Sequence, residues 1–495
     1  MNIYHIYNVG VGVLATAALL WAFSLGPEAE AERSTGPVLR RARAHGVDLL
    51  RLVLALVVLF SHAFAETGNQ AVEPLGLLTG GQIWLGQLAT NVFFALSGYF
   101  SEASLARRLR CTAAATTAAP VACVREFLEA RVRALVPLLS FFALVTAGAL
   151  GPWLSGADYA AYSASAWRFI AALCAPFVTN TGPTATLGAG GLRGVPTLAG
   201  FERLPRAVDA VDFGIAGSLH TVQILWRCYL HIALLALCCA KRARDFRLAA
   251  LIGGAWSACV LASGCGLLHV DVACFAIGAA YSASGASDAQ RRGVFHRWQC
   301  AAATGPAVLG LAALLARRGD VSAAVALAVP FLLHWSLAAA TAPCAERVGV
   351  ALLGSIDPSG ALATQVWIWG SLVQRIVLRR TLLLAWSGGG AVAGGTDGSG
   401  VGGSGGRGKP FPSCVAVAEE EDLATLAGEM GRQLIEVERA RCSVPSALAA
   451  FVMAAPLTLA AAVIAERARA RWVHTDVFLG IAICVSVGRM LLLRY

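Results

Sequence analysis

Apolar stretches of about 17–22 residues, the length of helix that crosses a bilayer core of ~30 Å, recur along this chain. They cover 8–25, 49–66, 83–100, 135–153, 219–240, 248–266, 268–285, 299–316, 321–341, 350–375, 446–465 and 475–492, with a weaker one at 166–179. A backbone in hydrocarbon must satisfy its own N–H and C=O groups, which a helix does within itself. The composition agrees: 57% of residues are hydrophobic and only 14% are charged. Such a chain has too little polar surface to cover itself in water. The predicted fold is therefore an all-α, polytopic transmembrane helical bundle of about eleven to thirteen spans. The first segment lacks a basic n-region and a small-residue cleavage site, so it reads as an uncleaved span rather than a signal peptide.

Net charge is +10. In a soluble protein that would suggest nucleic acid, but here the basic residues gather in short loops between apolar runs. RRARAHGVDLLR (40–51), the stretch 107–133, KRARDFR (241–247), QRRGVFHR (290–297) and ERARARW (466–472) would then share the cytosolic side. The 154–218 loop, rich in Gly, Pro and Thr, would lie on the other. Arg317, Arg318 and the RIVLRR ending at Arg380 depart from this arrangement. No basic stretch is interleaved with aromatics, which excludes nucleic-acid binding as the role. The 14 cysteines are scattered without a CxxC or a Cys/His spacing, so neither a disulfide framework nor a metal site is predicted.

Residues 387–408 are mostly glycine and read as a flexible linker. The following 418–442 places Leu423, Leu426, Met430, Leu434 and Val437 at helical spacing, an amphipathic helix outside the membrane. It suits either a surface-lying insert or a partner-docking helix.

One span carries ionisable residues at both ends: DLLRLVLALVVLFSH, 48–62. Arg51 and His62 are eleven residues apart, three turns plus about 20°, so both lie on one face, about 16.5 Å apart along the axis. An arginine three residues into a span also suits snorkelling to the headgroups, and a terminal histidine suits a bond to a backbone carbonyl. Their coincidence on one stripe favours an interior cavity, where intramembrane ionisable groups usually point. Asp48 stands three residues before Arg51, the spacing of a local ion pair.

Downstream of this stripe come NVFFALSGYF (91–100) and FLEARVRALVP (127–137). This ordered set resembles the acyltransferase-3 family, membrane enzymes that move acyl groups, commonly acetyl, onto glycan or lipid-linked hydroxyls. Its hallmarks are an arginine and a histidine ten residues apart on one helix, an FF-x-LSG-[FY] segment and an R-x-x-R-x-x-P-like segment. Arg51 and His62, the run Phe93 to Tyr99, and Arg131 and Arg133 before Pro137 correspond. A fourth block, SLHTVQILWRCYL (218–230), is similar to SLW-[ST]-L-x-x-E-x-x-FYL through Ser218, Leu219, Thr221, Tyr229 and Leu230. There His220 replaces the tryptophan and Leu225 the acidic residue.

The resemblance covers about residues 45–380. It implies a ten-helix acyltransferase-like core there, with an extra N-terminal helix and basic loop in 1–44, an insert at 381–445 and two C-terminal helices in 446–495. It further implies that Arg51, Arg131 and Arg133 hold the phosphates of an acyl-CoA, acetyl-CoA above all, since guanidinium grips phosphate bidentately. His62 would deprotonate an acceptor hydroxyl or carry the acyl group. Phe94, Ser97, Gly98 and Tyr229 would line or pack the tunnel, with Ser97 bonding across to a neighbouring helix. No metal is implied.

The expected function is a membrane O-acyltransferase acting on a glycan or glycolipid. Leu225 argues for the alternatives, because losing an acid that charges the histidine costs ~10²–10⁴-fold in rate. Asp48, His220 and Asp212 are the candidate substitutes. The alternatives are a transporter or lipid-flipping protein, with His62 relaying protons, and an inactive scaffold docking through 418–442. The expected location is an integral, multi-pass position in a eukaryotic endomembrane or plasma membrane, with membrane lipid as partner.

Overall fold

The computed structural model describes residues 45–66, 72–112, 119–150, 219–239, 243–263, 269–284, 307–354, 361–370, 372–374 and 444–472, with a few helical residues between 162 and 173. The expected span at 8–25, most of the 154–218 loop, the linker 387–408, the helix 418–442 and the span 475–492 lie outside the described residues.

The helices, in chain order, are α1 (His45–Glu66), α2 (Pro74–Thr79), α3 (Leu85–Thr112) and α4 (Ala119–Val145), which runs on as a π-turn to Leu150. Then follow α5 (His220–Cys238), α6 (Ala243–Ala262), α7 (Val270–Ala283), α8 (Val321–Ala340), α9 (Pro343–Leu353) and α10 (Val444–Trp472). Shorter helical stretches span Ala307–Arg317 and 362–370. Among the described residues there is no strand, and five helices (α1, α4, α5, α6 and α8) are long and apolar enough to cross a membrane. The chain is an all-α, multi-pass helical protein.

Helix α6 shows which solvent the outside meets. Its buried face is small or slender: Ala250, Gly254 and Ser257 between Phe246 and Leu261. Its outward face carries Leu248, Leu251, Ile252 and Trp256, all exposed. Small residues inside and large apolar ones outside invert the pattern of a soluble helix. In lipid that arrangement is favourable, since close helix contact rather than water exclusion holds the bundle together.

Helix α3 runs through the middle, packed against α1, α4, α5, α6, α7 and α8. Its tightest seam is with α7. A Cβ on Gly98 would stand 1.9 Å from the Phe275 carbonyl oxygen, and one on Gly278 1.8 Å from that of Ala95. The two glycines let the backbones touch, and no other residue fits there.

Three boundaries differ from the expected spans. The apolar run 83–100 is only the first part of α3, which continues three turns further because Leu105 and Leu109 stay buried on its inner side. The run 135–153 begins inside α4, whose helix starts at Ala119 and passes through Pro137. The run 350–375 starts within α9, which Pro343 opens at its first position, and 362–370 is helical beyond the undescribed 355–360.

Helix α9 lies against the start of α1. The Glu346 carboxylate accepts the His45 and Gly46 backbone N–H groups at 3.0 and 2.8 Å. A carboxylate there satisfies two of the orphan donors of the helix end and complements its dipole. The basic segments also converge: Arg108 of α3 pairs with Glu126 of α4 at 2.5 Å, and Arg247 of α6 approaches Glu102 of α3 at 3.6 Å.

Candidate functional site

The stripe on α1 that bears Arg51 and His62 also bears Ala55 and Val58, at spacings of four and three residues. Those two middle residues wall a narrow cavity of about 20 Å³, room for one or two water molecules. Its other walls are Thr90, Phe93, Phe94 and Ser97 of α3, Thr221 and Leu225 of α5, and Trp367. The cavity thus lies against α1 between the levels of the arginine and the histidine.

At one edge the Arg51 guanidinium carbon sits 5.5 Å from the Phe93 ring centroid. Phe93 in turn stacks on Trp367, with centroids 6.2 Å apart and planes 19° from parallel. Such a cation–π contact offsets part of the cost of holding the charge among apolar groups. A second guanidinium belongs to Arg131, beside the Phe127 and Tyr229 rings at 5.1 and 5.0 Å from their centroids. Tyr229 lies four residues beyond Leu225 and eight beyond Thr221, so one face of α5 leads from the cavity wall to Arg131.

Arg133 goes elsewhere. Two residues from Arg131, it is turned about 200° around α4. Its side chain is 51% exposed and pairs with Glu129 at 2.6 Å, an ordinary i,i+4 pair. The arginines at 131 and 133 therefore do not form one cluster. His62 is half-buried in the last two turns of α1. The Ser97 hydroxyl, expected to bond across to a neighbouring helix, donates instead to the Phe93 carbonyl of its own helix at 2.9 Å. Gly98, by contrast, makes the expected close approach, and Phe94 is buried in the cavity wall. Leu225 is a buried wall residue beside Thr221, so no carboxylate enters from that position.

Several residues of the site were not singled out in the sequence. Glu73, 0% exposed, lies in the connection between α1 and α3. Its carboxylate accepts the Leu85 N–H at 2.8 Å and the Gly76 N–H at 3.2 Å, capping α2 and holding the start of α3. It also bonds the Ser61 hydroxyl and the Gly86 amide. Burial pushes its pKa above the ordinary carboxylate range, and these hydrogen bonds pull it partly back. Ser61 is next to His62, and a Cβ on Gly86 would come within 2.7 Å of the Ser61 Cβ. The histidine's turn of α1 is thus clamped to the start of α3. On another side the buried Gln374 amide donates to the Leu59 carbonyl at 3.0 Å. The local signal for Glu73 was its place directly before Pro74, a residue suited to opening a helix. Trp367 and Gln374 carried no such signal, because what matters is the helix each one faces.

Two polar groups lie in the bundle outside this site. Glu102, 1% exposed, accepts from the Ser282 hydroxyl at 2.5 Å beside Arg247, which donates to the Ser282 carbonyl at 3.1 Å. Tyr281 and His334 bond at 2.5 Å. Among the described residues no group of three or more His, Cys, Asp or Glu side chains is arranged to hold a metal ion.

Comparisons of the chain with protein-family models, curated proteins and solved structures found no match.

Proposed function

We propose that this protein is an integral-membrane O-acyltransferase that moves an acyl group, acetyl by its resemblance to the acyltransferase-3 family, from acyl-CoA to a hydroxyl of a glycan or glycolipid. The observation that carries this reading is the cavity walled by Ala55 and Val58 on the stripe between Arg51 and His62. Arg51, Arg131 and His62 are not themselves wall residues of the cavity; the reading assigns them the parts that acyl transfer requires. Arg51 and Arg131 supply cations suited to the phosphates of the donor. His62 supplies an imidazole, which exchanges protons near neutral pH.

In the transfer the acceptor oxygen forms its bond to the thioester carbonyl carbon while the carbon–sulfur bond breaks. His62 takes the hydroxyl proton and returns it to the departing sulfur, so the imidazole ends as it began. Phe93 and Trp367 keep water from the thioester, which otherwise hydrolyses. In this reading Arg133, paired and exposed, contributes less to donor binding than Arg51 and Arg131. An endomembrane or plasma-membrane position suits a cytosolic donor and an acceptor on the other face.

The test is transfer of label from radiolabelled acetyl-CoA to glycolipid or glycan by the purified chain in nanodiscs. The wild-type protein should transfer label, and His62→Ala should lose at least ~10²-fold. An active His62→Ala protein would end this mechanism.

A transport reading on the same bundle is favoured by the Tyr281–His334 bond, a titratable pair between α7 and α8 that acyl transfer does not use. Proton-dependent uptake into liposomes without consumption of acyl-CoA would select it.

A further inference from the structure

We propose that Arg317 and Arg318, with the outward leucines of α2 and of the helix Ala307–Arg317, form a binding site for the phosphate of a lipid-anchored acceptor. The site lies at the His62 end of the bundle. The proposal rests on the transferase reading and deepens it, since it names the class of acceptor.

These two arginines depart from the charge pattern of the other loops, and the fold fixes where they lie. A Cβ on Gly46, at the start of α1, would stand 2.0 Å from the Ala340 carbonyl oxygen at the end of α8. Helix α8 has 20 residues, about 30 Å of length, and packs along α1. Its start, which Arg317 and Arg318 precede, is therefore at the opposite end of the bundle, that of His62. A direct contact agrees: a Cβ on Gly80, the residue that closes α2, would stand 3.8 Å from the Arg317 Cγ. At its other end α2 is capped by Glu73, whose carboxylate also bonds the hydroxyl of Ser61, the neighbour of His62. Six residues of helix, about 9 Å, thus run between Arg317 and the turn that carries the imidazole.

Both arginines are exposed, and among the described residues neither guanidinium takes part in a hydrogen bond or an ion pair. The turn sets one acid, Asp320, against the two cations. Excess arginine in a short loop belongs to the cytosolic side, and so do the anionic lipids that attract it. At the other end of the bundle neither reason applies, and the cations call for an anion of their own.

The flanks of the turn select what carries that anion. Leu311, Leu314 and Arg318 follow at spacings of three and four residues on one stripe, and the Arg318 backbone N–H still bonds the Leu314 carbonyl at 3.2 Å. Leu311 and Leu314 are exposed, as are Leu77 and Leu78 of α2. Guanidinium groups at the end of two outward apolar faces suit an amphiphile, with its alkyl chain along the leucines and its phosphate on the arginine forks. A soluble anionic sugar would meet the arginines and gain nothing from the leucines. Held there, the phosphate brings the sugar hydroxyl of a lipid-anchored acceptor to the end of the bundle where His62 lies.

The experiment uses the full chain in nanodiscs of neutral phosphatidylcholine and two acceptors that differ in one group, a sugar on a polyprenyl phosphate and the same sugar on a neutral alkyl chain. With labelled acetyl-CoA, kcat/KM for each is measured in three proteins: wild type, Arg317→Gln with Arg318→Gln, and Arg317→Lys with Arg318→Lys. The wild type should prefer the phosphate-bearing acceptor. The glutamine pair should lower that preference about tenfold or more, the scale of one lost charge-assisted hydrogen bond, and the lysine pair should keep most of it. Binding of the radiolabelled polyprenyl phosphate sugar without donor should weaken by a similar factor. An equal loss on both acceptors, with a lowered unfolding temperature, would show arginines that serve only the helix end and would overturn the proposal. So would a preference that the glutamine pair leaves unmoved, or displacement of the probe by phosphatidylglycerol at the same mole fraction, the mark of a general anionic-lipid surface. If the probe binds through the arginines while neither acceptor receives label, the site stands and the transferase reading falls. If both acceptors receive label equally in all three proteins, the transferase reading stands and the site falls.

Discussion

The two faces of α3 meet their neighbours in opposite ways. Toward α7 it presents Ala95 and Gly98, and the helices close until backbone touches backbone. Toward α1 and α5 it presents Thr90, Phe93, Phe94 and Ser97, and a cavity remains. Small side chains let two helices meet along a line, whereas rings hold a third and fourth helix at a distance that no side chain fills. Polar chemistry divides in the same way. The closed seam ends in a buried carboxylate, Glu102, which accepts the Ser282 hydroxyl with one oxygen and has Arg247 3.6 Å from the other. The open side carries the Arg51 and Arg131 guanidinium groups against the Phe93 and Tyr229 rings.

The contrast breaks first at the charged end of the seam. Arg247→Met leaves Glu102 buried with little beyond Ser282 to stabilise it. It should cost about 3 kcal/mol, the scale for removing one partner of a buried pair. Thermal unfolding in detergent measures this, and Glu102→Gln with Arg247→Met should recover most of it. Gly98→Val comes next. Its Cβ would collide with the Phe275 carbonyl, so overpacking should cost about 2 kcal/mol, whereas Ser97→Ala, one residue away on the open side, should stay within about 0.5 kcal/mol. Equal effects of the two would show that the faces are not distinct.

Glu73 sharpens the open side through pH. Its carboxyl pKa is raised by burial, so the folded state holds the proton more tightly than the unfolded state. The stabilisation is complete below the ordinary carboxylate pKa and is lost as pH rises through the raised value. Hydrogen exchange at the amides of Gly76, Leu85 and Gly86 should therefore slow, beyond the intrinsic change, on acidification from neutral pH. Glu73→Gln should remove that dependence. The smallest effect belongs to Arg133→Ala, which breaks an exposed i,i+4 pair and should change stability by only ~0.3–0.5 kcal/mol. Arg131→Ala should weaken donor binding far more than Arg133→Ala does. Equal losses in a CoA-binding titration would undo the separation of the two arginines.

Much of the bundle was legible in the order of residues. Apolar length marks α1, α5, α6 and α8, because crossing hydrocarbon sets a minimum run that local composition must meet. The periodicity of 3.6 places Arg51 and His62 on one stripe. Helix α3 was half legible: its apolar first part reads as a span, but the polar remainder is helical only because Leu105 and Leu109 find a core. Glu73 was not legible as a clamp, since three of its four partners lie twelve or so residues away on two different helices. Nor does sequence tell that Arg131 turns to Tyr229 while Arg133 turns to Glu129, although 200° of helix separates any such pair.

By itself, then, the sequence determined the solvent, the helices and the stripe on α1, because each follows from local run length and spacing. The tertiary structure alone decided that Leu225 faces the stripe across a cavity, that Trp367 closes it and that Gly98 meets Gly278's helix. Those facts depend on which faces of distant helices meet, and facing is settled by packing over the whole bundle rather than by any segment alone.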